Sequence, residues 1–98
     1  MMPRSVSYHE QLIQDLKNPL EAAAYIEVAL EENEPKFISK ALKNVVEAQG
    51  GIEELSSSAK LAYEKLDKSL KENAQVEYHA LNTLLKELGL YLSVAALL

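Results

Sequence analysis

Gly50-Gly51-Ile52-Glu53-Glu54-Leu55-Ser56-Ser57-Ser58-Ala59-Lys60-Leu61-Ala62-Tyr63-Glu64-Lys65-Leu66-Asp67-Lys68-Ser69-Leu70-Lys71 is the stretch whose reading decides the fold. Two glycines stop whatever helix precedes them, since glycine enters left-handed backbone freely just past a helix end. Beyond them, Ile52 to about Ser57 reads as one short helical piece. Leu61 or Ala62 to about Lys71 reads as a second, with Leu66 and Leu70 facing inward. Only three or four residues join the two pieces. A short helix, a tight turn and a second short helix is the helix-turn-helix plan.

The segments on either side are helical as well. Apolar residues recur at three and four positions throughout, and alternation at period two is nearly absent. Upstream, a helix from about Glu34 to Gln49 carries Pro35 in its first turn and an apolar stripe of Phe37, Ile38, Ala41, Leu42, Val45 and Ala48. Before it, Asn18 caps a helix that opens on Pro19 and ends at Glu31-Glu32-Asn33, with Ala22, Ile26, Ala29 and Leu30 on one face. Ser7-Tyr8-His9-Glu10 has capping-box spacing and starts a short helix with Leu12, Ile13 and Leu16 on one side. Downstream, Glu77 to Leu88 buries Leu81, Leu84, Leu85 and Leu88 before Gly89 stops it, and Leu90 to Val94 alternates partly, as a short strand does. The expected fold is all-α: a small multi-helix domain over residues 18–98, an N-terminal arm or short helix over residues 1–17, and a possible short C-terminal strand. The tyrosines Tyr25 and Tyr78 read as core residues with a wet hydroxyl, and Tyr63 as exposed at the tip of the second short helix.

Composition narrows the function. The 98 residues suffice for one domain, and 48% hydrophobic with 26% charged residues is ordinary for a folded globule. The absence of cysteine excludes disulfides, thiolate metal sites and a cysteine nucleophile. His9 and His79 have no ligand partner at metal-binding spacing. Ser56-Ser57-Ser58 has no base or oxyanion donor nearby in sequence, and serine is at home between helices. The expectation is a non-enzymatic binding protein that takes no cofactor and holds no metal. No apolar signal core follows Met1-Met2-Pro3-Arg4-Ser5 and no run approaches the ~20 residues that span a bilayer, so a cytoplasmic protein without membrane contact is expected.

The stretch Tyr25-Ile26-Glu27-Val28-Ala29-Leu30-Glu31-Glu32-Asn33-Glu34-Pro35-Lys36-Phe37 resembles the N-terminal part of the HigA-like addiction-module antidote proteins. So does its continuation Ala41-Leu42-Lys43-Asn44-Val45-Val46-Glu47-Ala48-Gln49-Gly50. The end, Leu84-Leu85-Lys86-Glu87-Leu88-Gly89-Leu90-Tyr91-Leu92-Ser93-Val94, is similar to the last helix and tail of that family. The resemblance runs from about Leu16 to Val94. It implies a λ-repressor-like helix-turn-helix domain that pairs as a homodimer, inhibits a small toxin of the RelE/ParE type and represses its own operon by binding operator DNA.

The sequence departs from that family where DNA would be read. Lys60 stands at the family's turn glycine, Ala62 at its serine, Tyr63 at its arginine and Asp67 at its tyrosine. A bidentate arginine contact to guanine is ruled out there, because the only arginine is Arg4. Lys60, Tyr63, Lys65, Lys68 and Lys71 are the candidate DNA-binding residues; lysines on phosphate supply affinity without much sequence information. The same residues read equally as a solvated helix face, balanced by Glu64, Asp67 and Glu72. Glu27, Glu31, Glu32 and Glu34 are the candidate toxin-binding residues, since a net charge of −5 and an acidic junction suit a small basic partner. Their other reading is a merely soluble acidic surface. Two accounts stand side by side: a DNA-binding regulator and antitoxin, or a protein-interaction module of the same fold that no longer reads DNA sequence.

Overall fold

The computed structural model describes residues 7–94, and within them the chain is all-α. Helix α1 spans Tyr8–Asp15, α2 Pro19–Glu32, α3 Pro35–Ala48, α4 Ser57–Lys71 and α5 Tyr78–Glu87, with a single 3-10 turn at Ile52–Glu54. No helix among the described residues is long and apolar enough to cross a membrane.

Each helix start is set locally. The Ser7 hydroxyl accepts the Glu10 N–H at 3.1 Å while the Glu10 carboxylate accepts the Ser7 N–H at 3.1 Å, closing the capping box. Asn18 accepts the Leu20 N–H at 2.9 Å and Pro19 follows in the first helical turn. Asn33 ends α2 in a left-handed conformation, φ 55°. After α3, Gly50 sits at φ +112°, where a Cβ would come within 2.6 Å of the Glu54 Cγ, so the turn admits only glycine.

Helix α3 is the central element, packed against α1, α2 and α4, and α4 packs in turn on α5. Leu16, Leu42, Val45, Leu66 and Leu84 are the largest side chains fully withdrawn from water. Burial of this kind contributes about 1.5–3 kcal/mol per large aliphatic side chain and is the main force holding the helices together. Helix α1 adds no residue of its own to the buried set, but Leu16 just beyond it is buried and Leu12 and Ile13 pack on the core. His9 Nε2 lies 3.3 Å from the Glu47 carboxylate and ties α1 to α3.

Several expectations need correcting. Ile52 to Ser57 is not a helix in its own right, because the helical turn stops at Glu54. The second helix does not begin at Leu61 or Ala62. It begins at Ser57, so no turn separates two short helices there. Ser56 is extended and its hydroxyl accepts the Ala59 N–H at 3.2 Å, which launches the helix early. Past Ser58 only Ala59, Lys60, Leu61 and Ala62 follow, all good helix formers, and nothing breaks the ladder. Phe37 leaves the apolar stripe of α3 and is 55% exposed, since it projects beside Val28 rather than inward. Tyr78 is exposed on the first turn of α5, whereas Tyr25 is half-buried with its hydroxyl bonded to Asn44. Residues 90–94 form no strand. The leucines of α5 are spent within the chain's own core, leaving Tyr91 and Val94 as the exposed apolar residues of the described tail. Residues 95–98 lie outside the described residues.

Candidate protein-docking groove and the charged face of helix α4

Helix α4 holds all the candidate DNA-binding residues on one continuous helix. Its buried stripe is Ala59, Ala62, Leu66 and Leu70, which turns Lys60, Tyr63, Asp67 and Lys71 toward one flank at three- and four-residue spacing. Lys60 lies inside the helix and is half-buried, not in a turn. Tyr63 is not an exposed tip: it is half-buried and packs against the core. Burial, aided by the Asp67 carboxylate, pushes its hydroxyl above the usual phenol range.

The lysines divide into engaged and free. Lys71 Nζ is 3.0 Å from Asp67 one turn back, and Asp67 also accepts the Ser39 hydroxyl of α3 at 3.4 Å. Lys65 Nζ is 3.8 Å from Glu77, the residue that caps α5. The N–H of Ala80, donated to Glu77 at 2.9 Å, is the main cause of a carboxyl held below the usual range, and the His79 N–H and Lys65 add to it. Lys68 is exposed with no carboxylate within salt-bridge distance among the described residues.

A second basic feature lies on α3 and was missed in the sequence. Lys36, Lys40 and Lys43 are exposed and spaced by four and three residues, so they share the outer face of that helix. None has a carboxylate within salt-bridge distance among the described residues. The spacing was visible beforehand. The neighbouring apolar stripe, which runs through the same segment at the same period, drew the reading to the buried face.

The acidic candidates also separate. Glu34 is at the N-cap of α3, its carboxylate facing the Lys36 N–H at 3.5 Å, so its placement is accounted for by the helix start. Glu32 is exposed at the last position of α2. Glu27 and Glu31, one turn apart, instead share the edge of a groove of about 480 Å³ between α2 and the segment that follows α5. Ile26 and Leu85 are buried beneath it, and Leu30, Leu90 and Leu92 are partly covered. Tyr91 stands 77% exposed at its mouth. Neither carboxylate has a lysine or histidine within salt-bridge distance among the described residues. The groove thus sets two carboxylates, with no cation within salt-bridge distance among the described residues, beside the aliphatic side chains of Leu30, Leu90 and Leu92.

Nothing in the described residues gathers three or more histidine, cysteine, aspartate or glutamate side chains at a metal-holding distance. No curated protein and no solved structure matches the chain. The family described as "Probable addiction module antidote protein" matches residues 9–96. With nearly its whole length covered by that match, the chain belongs to the addiction-module antidote family.

Proposed function

We propose that this protein is an antitoxin that neutralises a small basic toxin of the RelE/ParE type by binding it directly. One observation carries this reading. Glu27 and Glu31 are exposed, one helical turn apart and unpaired, beside an apolar groove on a chain of net charge −5. Carboxylates so placed steer and orient a cationic partner, and the apolar floor supplies the area that slows its release. Family membership supplies the partner class, since an antidote implies something to neutralise.

The experiment is co-production in a bacterial host with the protein encoded by the adjacent reading frame. Growth restored by this chain, with the two proteins copurifying, is the expected result. Growth arrest that persists despite abundant folded chain overturns the reading.

Operator binding and autoregulation form the second reading, favoured by the lysines of α4. Two copies pairing in the cytoplasm would present Lys60, Lys65, Lys68 and Lys71, with Tyr63, to the DNA backbone. The apolar surface of Tyr8, Val28 and Phe37 offers a place for that pairing. Lys65 and Lys71 already have carboxylate partners and Tyr63 is half-buried, so contact through α4 rests on Lys68 and Lys60. Contacts of that kind grip phosphate and read little sequence.

A further inference from the structure

We propose that the groove between α2 and residues 90–93 receives a β-strand of the toxin, one that alternates apolar side chains with lysine or arginine. The proposal rests on the antitoxin reading for the identity of the partner, and on the geometry of the groove for everything else.

Residues 90–93 already have the side-chain pattern of a strand without a strand to pair with. Leu90 and Leu92 face the core and are partly covered, while Tyr91 and Ser93 are exposed. That is the period-two alternation of a half-buried strand. The N–H of Leu90 is used by the Leu85 carbonyl at 2.8 Å, closing the end of α5. Beyond it, among the described residues, no backbone hydrogen bond is made by Tyr91, Leu92 or Ser93. A run outside any helix, with alternating exposure and, past Leu90, no backbone bond to the other described residues, is a template for strand addition beside the groove, in which main-chain bonds hold the guest and alternate side chains select it.

The opposite wall fixes which side chains are selected. Glu27 and Glu31 are separated by about 6 Å along the helix axis, at 1.5 Å per residue. Alternate residues of a strand are separated by about 6.7 Å. A guest strand that lies parallel to α2 in the groove therefore sets two same-side cations opposite the two carboxylates. A second copy of this chain is a poor occupant, because its own Leu90-Tyr91-Leu92-Ser93-Val94 carries no cation and would leave both carboxylates unanswered.

The test has two arms. In the first, an alternating lysine–valine octapeptide is titrated into the 15N-labelled full chain at low salt, with an alternating glutamate–valine peptide as control. Shift changes concentrated at Tyr91–Ser93 and Glu27–Glu31, absent with the control and weakened at least tenfold in the Glu27→Lys/Glu31→Lys variant, are expected. Changes centred elsewhere, or equal binding by the variant, overturn the proposal. So does a self-associated dimer that buries Tyr91–Ser93 before peptide is added. In the second arm, Ser93→Pro, which removes one exposed N–H, and the double glutamate variant are tested for neutralisation of the adjacent-frame protein. A toxin neutralised by the parent and equally by both variants removes the groove but leaves the antitoxin. A parent that neutralises nothing removes the antitoxin reading, and the peptide arm still decides the groove.

Discussion

The amide nitrogen of Asn44 donates a 2.9 Å hydrogen bond to the Tyr25 hydroxyl, linking α3 to α2 through the one buried polar side chain among the described residues. Asn44 is 3% exposed, so water cannot replace the tyrosine if it is lost. The bond joins the facing sides of α2 and α3, beside the buried Ala22, Ile26 and Ala29 of α2. A buried polar group is costly when unpaired and nearly neutral when paired, which makes this contact more specifying than stabilising.

Tyr25→Phe should therefore destabilise the fold by about 1–2 kcal/mol, the desolvation cost of a stranded amide. Urea denaturation followed by circular dichroism checks it. In a double-mutant cycle with Asn44→Ala, the combined loss should fall short of the sum of the two single losses. Strict additivity would mean that the two groups do not interact in solution.

Lys60 provides a sharper test of the backbone. If it stood in a turn of positive φ, glycine there would stabilise the chain. Among the described residues the non-glycine positions of positive φ are Asn33 and Asn73, and Lys60 lies within α4. Lys60→Gly should accordingly destabilise by about 0.5–1 kcal/mol, the helix-interior penalty of glycine. A gain in melting temperature would restore the turn that the sequence suggested.

That turn shows where sequence reading reached its limit. Caps and stops were legible because each is a local event: Ser7 with Glu10, Asn18 with Pro19 and Gly50-Gly51 act within a few residues. The inward faces of α4 and α5 were legible from their leucines. Whether Ser56-Ser57-Ser58 ends one helix or begins another was not, because serine suits either place. The choice falls to non-local contacts. Buried Leu55 and Ala59 pin the chain on both sides of Ser56, and Glu87 of α5 accepts both the Ser56 N–H at 3.1 Å and its hydroxyl at 3.2 Å. The groove was half legible. Glu27 and Glu31 stand out by their charge, but its far wall comes from residues about sixty positions away and has no local sign.

Glu77 links stability to acid. Its carboxyl is held below the usual range, chiefly by the Ala80 N–H, so the folded state favours the ionised form. A depressed value contributes stability that is full above the ordinary glutamate range and is lost as pH falls through the lowered value. Glu77→Gln should be less stable than the parent at neutral pH and should lose less stability on acidification. Denaturation midpoints measured from neutral pH down through the carboxylate range test this. Parallel curves for the two proteins would show that the cap does not titrate as described.

Duplex DNA binding, where it occurs, should be steeply salt-dependent and weak in sequence preference. Phosphate contacts release counterions, and each contributes about −0.9 to the slope of log affinity against log salt. A lysine already held by a carboxylate has less to offer, since the pair must be broken or shared. Lys65 and Lys71 are so held, whereas Lys60 and Lys68 of the same helix have no carboxylate within salt-bridge distance among the described residues. Neutralising Lys60 and Lys68 to glutamine should therefore reduce the slope by about two. The matching change at Lys65 and Lys71 should move it by less than one per residue. The measurement is a titration of both variants and the parent against the duplex upstream of the gene and a scrambled duplex, each at several salt concentrations. A larger effect from Lys65 and Lys71 would mean that the ion pairs of α4 open on contact with the backbone. Discrimination between the duplexes of about a thousandfold or more at physiological salt is the province of true specific binders. Without an arginine in α4 to grip guanine, this helix should fall well short of that. No binding to either duplex at low salt would leave toxin binding as the whole of its work.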